Sequence, residues 1–241
     1  MEGKAVIFWT MARRLVLWDV DGTLLRAGEI GAAVFDDAVE SVLGRRPPDR
    51  VRMSGKTDPL IVREYLVLMG VPESPSLVEA ILEQLVQNLA EAAEAGVLSD
   101  GGAACPGVTE VLDGLAAAGG VVQTLLTGNV YANAVVKVSA YGLDKWLDLG
   151  LGAYGSDSED RNRLVPIALH RLEQARGVSL PASQVWVVGD TPRDLACARA
   201  AGARCLLVAT GRYTYPELAG LGADAAVENL ADWSSVVDLL A

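Results

Sequence analysis

Short, wholly apolar runs alternate along the chain with longer segments whose apolar positions recur every three to four residues. The apolar runs predict five strands, at 15–20, 121–126, 184–188, 204–209 and 224–227. The periodic segments after residue 106 predict helices at 107–118, 130–141, 164–176 and 193–201. Strands that alternate with helices of this length are typical of parallel βαβ units. The pattern therefore predicts an α/β core built on a parallel sheet.

The segment between the first two strands has no strand pattern. It predicts three helices, at 28–44, 59–69 and 75–95. We therefore predict an all-helical insertion at 27–102, after the first strand of a core domain that consists of 11–26 and 103–241. Residues 1–10 are expected to be an extension, because Met11 begins a second plausible start.

Composition narrows the class of protein. The chain has 241 residues, of which 51% are apolar, so it is long enough and apolar enough to bury a core. Its net charge of −11 argues against binding of a nucleic-acid backbone. No apolar run has the length of a membrane span. The three cysteines are far apart and odd in number, which indicates buried thiols in a reducing compartment, so we expect a cytoplasmic protein.

The first predicted strand ends in two aspartates. Asp19 and Asp21 follow a wholly apolar run and precede a Gly-Thr turn. Residues i and i+2 of a strand point to the same side, so the two carboxylates can converge at the end of the strand. Carboxylates that close repel each other unless a cation or a reaction separates them. A site that holds Mg²⁺ and offers one carboxylate to phosphorus meets both needs, although a buried strand with an acidic turn has the same pattern.

A hydroxyl and a glycine follow the strand predicted at 121–126. The residues there are Thr127, Gly128 and Asn129. A hydroxyl followed by flexible backbone amides at the start of a helix suits a phosphoryl oxygen. An ordinary helix N-cap would use the same residues, so this motif alone leaves both interpretations open.

Two more carboxylates, Asp190 and Asp194, follow the strand predicted at 184–188. They stand four residues apart around a turn that begins a helix, and a helix cap needs only one of them. Like the two motifs above, they lie at the carboxyl end of a predicted core strand, which is the edge where open parallel sheets bind ligands. The sequence therefore predicts one site that the three motifs share.

Together, these motifs resemble those of the haloacid dehalogenase-like (HAD) superfamily, in particular its phosphoglycolate-phosphatase-like branch. The first motif is DVDGTL at 19–24, and the last is GDTPRD at 189–194, with the threonine motif between them. The resemblance covers nearly the whole chain from residue 13 onward. It implies a Rossmann-like core with an inserted helical cap, and a Mg²⁺-dependent phosphatase that acts on a small phosphorylated metabolite.

The resemblance also implies a role for each residue of the first two motifs. Asp19 would attack phosphorus and form an aspartyl-phosphate. Asp21 would protonate the leaving alkoxide and then activate the water that hydrolyses the intermediate. Thr127 would hold the phosphoryl oxygens together with the neighbouring Gly128 and Asn129.

A metal site is the next implication of the resemblance. Asp190 would bind Mg²⁺ together with Asp19 and the backbone carbonyl of Asp21. Asp194 would complete or orient that set of ligands. Oxygen ligands of this kind are the ones that Mg²⁺ prefers.

The chain departs from the family pattern at one basic residue. The family normally has a lysine between the threonine motif and the last motif, where it bridges the nucleophile and the phosphoryl group. No lysine occurs after Lys145, and Lys137 and Lys145 lie too early in the pattern. Arg161 matches the position best, with Arg163 as second choice. An arginine is always charged and can bind two oxygens at once, so the substitution is chemically workable.

Lys56 lies where caps of this family present a loop to the substrate. It is a candidate for contacting a second anionic group of the substrate, and a solvated loop lysine is the other interpretation. The alternatives to a phosphatase are a phosphosugar mutase of the same fold and a non-catalytic HAD-fold binding protein. Because Asp19, Asp21 and Asp190 are all present, we favour catalysis. We expect a monomer or a homodimer, with no nucleic-acid or membrane partner.

Overall fold

Five parallel strands form the central sheet of the protein, whose computed structural model describes residues 12–241. Numbered along the chain, the strands are β1 (Arg14–Trp18), β4 (Val121–Leu125), β5 (Val185–Gly189), β6 (Arg204–Val208) and β7 (Ala225–Val227). They lie in the order β4-β1-β5-β6-β7, and each begins and ends within two residues of a predicted strand. The predicted α/β fold is confirmed. The predicted extension at 1–10 lies outside the described residues.

Both faces of the sheet are apolar, which explains why the strands appear in the sequence as unbroken apolar runs. In β1, Leu15 and Leu17 pack on one face of the sheet, and Val16 and Trp18 pack on the other. All four side chains are fully buried, as expected for a parallel sheet covered on both faces. Pairing with β4 on one side and β5 on the other places β1, which precedes the Asp19 motif, inside the sheet.

Helices fill the segment that follows β1, as predicted. They are α1 (Ile30–Leu43), α2 (Asp58–Leu68), α3 (Pro75–Glu94) and α4 (Val97–Asp100). Helix α3 begins at Pro75 because the Ser74 side chain accepts a hydrogen bond from the amide of Leu77. Its predicted apolar stripe is buried at Val78, Ile81, Leu85 and Leu89, and α3 packs against α1 and α2. Helix α4 differs from the prediction, which places a linker at 99–102.

The remaining helices surround the sheet. They are α5 (Val108–Ala118), α6 (Tyr131–Ala140), α7 (Leu164–Arg176), α8 (Pro192–Ala201), α9 (Tyr215–Ala219) and α10 (Trp233–Leu240). Neither α9 nor α10 is among the helices predicted from the sequence. Helix α10 packs against α5, and helix α6 also contacts α3 of the insertion. The insertion is therefore packed against the core through α6.

Two short antiparallel strands join the insertion to the core. They are β2 (Leu25–Arg26) and β3 (Ala103–Ala104), and they pair with each other. The pair lies at the two positions where the chain leaves and re-enters the core. The domain boundaries at 26/27 and 102/103 stay a prediction, and β2 and β3 are the elements that adjoin them.

Two expectations drawn from composition concern cysteines and membranes. Cys105, Cys197 and Cys205 are buried free thiols, as the sequence predicts. Burial raises the pKa of the Cys197 thiol to about 12, so this thiol stays protonated and packs as a small apolar group. Between residues 12 and 241, no helix has the combination of length and apolar character that crossing a bilayer requires.

Candidate active site

The carboxyl ends of β1, β4 and β5 bring the three sequence motifs together. Trp18, the last residue of β1, pairs with Leu125 of β4 and with Val188 of β5. The amide of Asp19 continues this pairing, because it donates to the carbonyl of Val188 at 2.9 Å. The residues that follow the three strands therefore emerge side by side at one edge of the sheet.

Three carboxylates form a buried cluster at this edge. One oxygen each of Asp19, Asp190 and Asp194 lies within 4.8 Å of the other two, and all three residues are buried. Burial raises the pKa of Asp19. Burial, and after it the neighbouring Asp19 carboxylate, raises the pKa of Asp190. The cluster therefore has more negative charge than its surroundings stabilise.

Arg161 supplies part of the missing positive charge. One of its nitrogens, Nη2, donates to Asp19 Oδ1 at 2.8 Å and to Asp194 Oδ1 at 2.5 Å. Arg161 begins a one-turn 3-10 helix directly before α7, and its side chain is only 6% exposed. Arg163, the second choice from the sequence, is exposed. The geometry thus brings Arg161 to the predicted nucleophile, while its role in the reaction stays a prediction.

Asp194 uses both of its oxygens for contacts within the protein. Its Oδ2 accepts from the amide of Thr191 at 2.9 Å and from the Thr191 hydroxyl at 2.7 Å, which forms a capping box at the start of α8. Its Oδ1 accepts from Arg161. Of the two roles that the sequence leaves open for Asp194, this geometry favours orienting the other groups over binding a metal directly.

Asp190, in contrast, keeps an oxygen that no described residue satisfies. Its Oδ1 is buried and has no hydrogen-bond partner among residues 12–241. Backbone packs closely around the same carboxylate, since a Cβ on Gly22 would lie 2.6 Å from Oδ2 and a Cβ on Gly211 would overlap it. Leaving a buried carboxylate oxygen unpaired costs free energy, and a divalent cation beside Asp19 and Asp190 would satisfy it. The residues present therefore fit a Mg²⁺ site.

Asp21 is paired with a different cation. Lys137 of α6 donates from Nζ to both carboxylate oxygens, at 2.8 Å to Oδ1 and 2.7 Å to Oδ2. Asn129 adds a third hydrogen bond, from Nδ2 to Oδ2 at 2.7 Å. The two aspartates of the first motif thus have separate cations, because Arg161 contacts Asp19 and Lys137 contacts Asp21.

The sequence analysis does not assign Lys137 to this site, nor Asp58, Arg26 and Arg212, which line the same cavity. The position of Lys137 in the chain is too early for the bridging lysine of the family, and it is Arg161 that contacts Asp19. A signal was nevertheless present, because Asn129, Asn133 and Lys137 recur every four positions at the start of a predicted helix. Such spacing places them on one side of the helix, and only the fold shows that this side faces the strand ends.

The threonine motif lines the same cavity as the aspartates. Thr127 is fully buried, and its Oγ1 accepts from the amide of Asn129 at 3.3 Å and from its side-chain Nδ2 at 2.8 Å. Gly128 lies against the insertion so closely that a Cβ there would overlap the carbonyl of Lys56. The three residues predicted to bind substrate therefore lie together, at the contact between core and insertion.

Asp58, the first residue of α2, joins the insertion to this edge of the sheet by hydrogen bonds. The amide of Asp58 donates to the carbonyl of Gly128 at 2.7 Å. Its Oδ2 accepts from the amide of Val130 at 2.9 Å and from Asn133 Nδ2 at 3.3 Å. Burial raises the pKa of Asp58 to about 6. This contact between insertion and core therefore contains a carboxyl group that the fold favours in its neutral form.

Replacing Asp58 by asparagine is expected to stabilise the fold above pH 6 more than below pH 4. The Asp58 pKa is 3.8 in the reference state and about 6 in the fold, so its stabilising contribution is full below 3.8 and is lost as the pH rises through 6. Asparagine stays neutral and keeps the acceptor oxygen. We expect the variant to gain on the order of 2 kcal/mol in free energy of unfolding at pH 7.5 relative to pH 4. Denaturant unfolding at both pH values measures this difference. The exposed Asp238→Asn is the matched control, and equal effects of both variants would contradict the prediction.

A cavity of about 510 Å³ lies beside these residues and is lined by both the core and the insertion. Besides Arg161 and Lys137, three cationic side chains line it, namely Arg26, Lys56 and Arg212. The Lys56 ammonium forms an ion pair with Glu64 of α2, so part of its charge is already balanced. Four carboxylates line the cavity as well, those of Asp19, Asp21, Asp58 and Asp190. The volume and the five cations are suited to a small anionic ligand.

Comparisons with known proteins show which family and fold this chain shares. Residues 16–199 match the model of the family described as haloacid dehalogenase-like hydrolase. A phosphoglycolate phosphatase from Pseudomonas fluorescens (strain Pf0-1) is 31% identical over 219 residues, which cover 88% of this chain and 75% of that protein. One from Rhodospirillum rubrum is 27% identical over 230 residues, which cover 91% and 90%. The crystal structure of a hydrolase from Pseudomonas syringae has the same fold, with a TM-score of 0.70 and 20% identity, over 95% of this chain and 99% of that one.

The matched segment contains all three motifs that suggested the resemblance. It extends from within β1 to residue 199, and so includes Asp19, Thr127 and Asp190. The comparisons confirm the predicted family, fold and enzyme class, and they favour a phosphatase over a mutase or a non-catalytic binding protein. The chain therefore belongs to the haloacid dehalogenase-like hydrolase family, and it is a phosphatase.

Proposed function

We propose that this phosphatase hydrolyses a small phosphomonoester that carries a second anionic group, in two steps on Asp19 and with Mg²⁺. The observation that carries the proposal is the position of Asp19. Asp19 is buried at a cavity that five cationic side chains line, 2.8 Å from Arg161 Nη2, and the neighbouring Asp190 has an oxygen without a hydrogen-bond partner among residues 12–241. Burial raises the pKa of Asp19 to about 7, and the neighbouring Arg161 favours the ionised form, which is the form that attacks phosphorus.

In the first step, a carboxylate oxygen of Asp19 forms a bond to phosphorus as the bond from phosphorus to the ester oxygen breaks. Asp21 enters this step in its acid form and gives its proton to the departing oxygen, so that the product leaves as a neutral alcohol. Arg161 stays beside Asp19 and offsets negative charge during the transfer, while Thr127 holds a phosphoryl oxygen. This step leaves a phosphorylated Asp19 and an ionised Asp21.

In the second step, water attacks the phosphorus of the aspartyl-phosphate. The Asp21 carboxylate takes a proton from that water, which restores its acid form. The bond between phosphorus and Asp19 breaks, and hydrogen phosphate is released. Over the cycle, one ester and one water become one alcohol and one hydrogen phosphate, and both aspartates return to their starting forms.

Three oxygen groups would hold the Mg²⁺ ion. They are the carboxylates of Asp19 and Asp190 and the backbone carbonyl of Asp21, with Asp194 keeping Arg161 in place. The bound ion supplies charge neutralisation for the transferring phosphoryl group. The raised pKa of Asp190 supports this assignment, because a buried carboxylate of that kind needs a nearby cation to remain ionised.

The cavity and the relatives together suggest the substrate class. The relatives from Pseudomonas fluorescens and Rhodospirillum rubrum are named phosphoglycolate phosphatases, and phosphoglycolate carries a carboxylate besides its phosphate. Beyond the cations at the two aspartates, the exposed Arg26 and Arg212 line the cavity and can bind such a second anion. We therefore infer that the substrate is a short phosphomonoester with a carboxylate or a second phosphate, and 2-phosphoglycolate is the first candidate.

Phosphate release from two matched esters tests this function. We expect kcat/KM for 2-phosphoglycolate to exceed that for 2-hydroxyethyl phosphate by roughly tenfold or more, since only the former has a second anion for the arginines. Chelation by EDTA is expected to abolish release from both esters, and added Mg²⁺ is expected to restore it. Equal values for the two esters would refute the proposed substrate class, and full activity in EDTA would refute the metal dependence.

A further inference from the structure

We infer that Lys137 is a positioning residue that holds Asp21 in place for proton transfer to the leaving group. This inference rests on the proposed function, in which Asp21 carries the proton. Neither the family motifs nor the charge pattern of the sequence assigns a role to Lys137.

All three hydrogen bonds of the Lys137 ammonium go to Asp21 or to Asn129, which itself contacts Asp21. Its Nζ donates at 2.8 Å and 2.7 Å to the two oxygens of Asp21, and at 2.7 Å to Asn129 Oδ1. An ammonium has three hydrogens, so these three contacts account for its full capacity. Asn129 completes the arrangement, because its Nδ2 donates to Asp21 Oδ2. The Asp21 carboxylate is therefore held by two donors that are also bonded to each other.

Burial distinguishes this ion pair from an ordinary surface contact. The Lys137 side chain is 7% exposed, whereas that of Asp21 is 44% exposed. Water could satisfy the half-exposed carboxylate, but a buried lysine loses its hydration and gains nothing unless its partner is well placed. The fold therefore buries a cation beside an acid that does not require one for stability. That asymmetry indicates a role in placing the acid.

Fixing both oxygens of Asp21 restricts the rotation of its side chain. General acid catalysis depends on the distance and direction between the acid and the departing oxygen, and a displacement of about 1 Å can lower a rate roughly 100-fold. Lys137 acts from helix α6, which begins beside the threonine motif and packs against the insertion. It thus holds Asp21 at the cavity that Asp19 also lines.

The leaving group reveals whether Lys137 acts through Asp21. Ethyl phosphate releases an alkoxide, which needs a proton as the bond breaks. Acetyl phosphate has a similar size but releases acetate, which is stable without one. A residue that places the proton donor therefore matters for the first ester and little for the second, whereas a residue that binds the phosphoryl group matters equally for both. The ratio kcat/KM is the right quantity, because it covers only the steps up to the first phosphoryl transfer.

We propose to measure kcat/KM of the Mg²⁺-loaded enzyme for both esters in Lys137→Met, with the exposed Lys145→Met as the matched control. Lys137→Met is expected to lose at least about tenfold with ethyl phosphate and less than about threefold with acetyl phosphate. Lys145→Met is expected to match the wild type with both. Lys137→Gln keeps a donor and lacks the charge, and it is expected to show the same selective loss if the methionine variant unfolds.

A double-mutant cycle with Asp21→Asn supplies the second readout. If Lys137 acts through Asp21, adding Lys137→Met to Asp21→Asn is expected to change kcat/KM for ethyl phosphate by less than about twofold. Equal losses with both esters, or losses that multiply in the double variant, would overturn the inference and leave the phosphatase intact. If the wild type releases phosphate from neither ester nor from 2-phosphoglycolate, the proposed function falls and this inference falls with it.

Discussion

Replacement of Asp19 by asparagine is expected to lower phosphate release by roughly 10³-fold or more while the protein stays folded. The amide has nearly the same shape as the carboxylate, but it is a poor nucleophile toward phosphorus. It also removes a negative charge from a buried cluster of three carboxylates, so the fold should not suffer. Phosphate release and thermal unfolding of the variant measure the two expectations separately.

The covalent step itself can be trapped. Wild-type protein quenched with acid during turnover is expected to retain phosphate that hydroxylamine releases, because an aspartyl-phosphate is an acyl phosphate. The Asp19→Asn protein is expected to retain none, and Asp238→Asn, an exposed change of the same kind, should behave as the wild type. Activity of Asp19→Asn within tenfold of the wild type would show that another group is the nucleophile.

The second large effect is expected at Arg161. Its replacement by alanine leaves Asp19, Asp190 and Asp194 buried together without their cation, so we expect activity to fall about 100-fold or more. Loss of one partner of a buried ion pair also costs about 3–5 kcal/mol of unfolding free energy. The exposed Arg163→Ala, two residues away, is the matched control and should change activity and stability little. A larger loss of activity in Arg163→Ala than in Arg161→Ala would contradict the assignment.

Arg161→Lys tests why an arginine is tolerated where the family has a lysine. A single nitrogen of Arg161 makes both carboxylate contacts, and its buried Nε has no hydrogen-bond partner in the described part of the chain. One ammonium nitrogen can make the same two contacts. We therefore expect Arg161→Lys to keep at least about a tenth of the wild-type activity, well above the activity of Arg161→Ala. A lysine variant as inactive as the alanine variant would mean that the planar guanidinium itself is required.

The positions of the strands could be predicted because burial on both faces leaves unbroken apolar runs, whereas their order in the sheet was not predicted. The same logic located Asp19, Thr127 and Asp190, since polar residues directly after such runs must lie at one edge of a parallel sheet. Elements that leave little hydrophobic pattern in the sequence were not predicted. The paired strands β2 and β3 have two residues each, and α9 and α10 are short helices near the end of the chain. Their existence depends on packing that a local pattern does not contain.

The candidate site was predictable only where the chemistry is local. Lys137 reaches Asp21 from a different part of the chain, so the contact requires knowledge of how α6 packs on the sheet edge. Similarly, the use of both Asp194 oxygens follows from the capping box and from Arg161, and the partner of Lys56 is Glu64 on a neighbouring helix. The sequence identified Asp194 and Lys56 as candidates but not Lys137, and the individual roles of all three stay predictions.

Helix α6 connects the contact between insertion and core at Asp58 with the carboxylate of Asp21. One turn of this ten-residue helix separates Asn133, which donates to Asp58 of the insertion, from Lys137, which donates to Asp21. A helix moves as a nearly rigid rod, so any displacement that loosens the first contact also shifts the second. A displacement of the insertion at Asp58 would therefore reach the Asp21 carboxylate through α6, although no atom of the helix takes part in the bond changes.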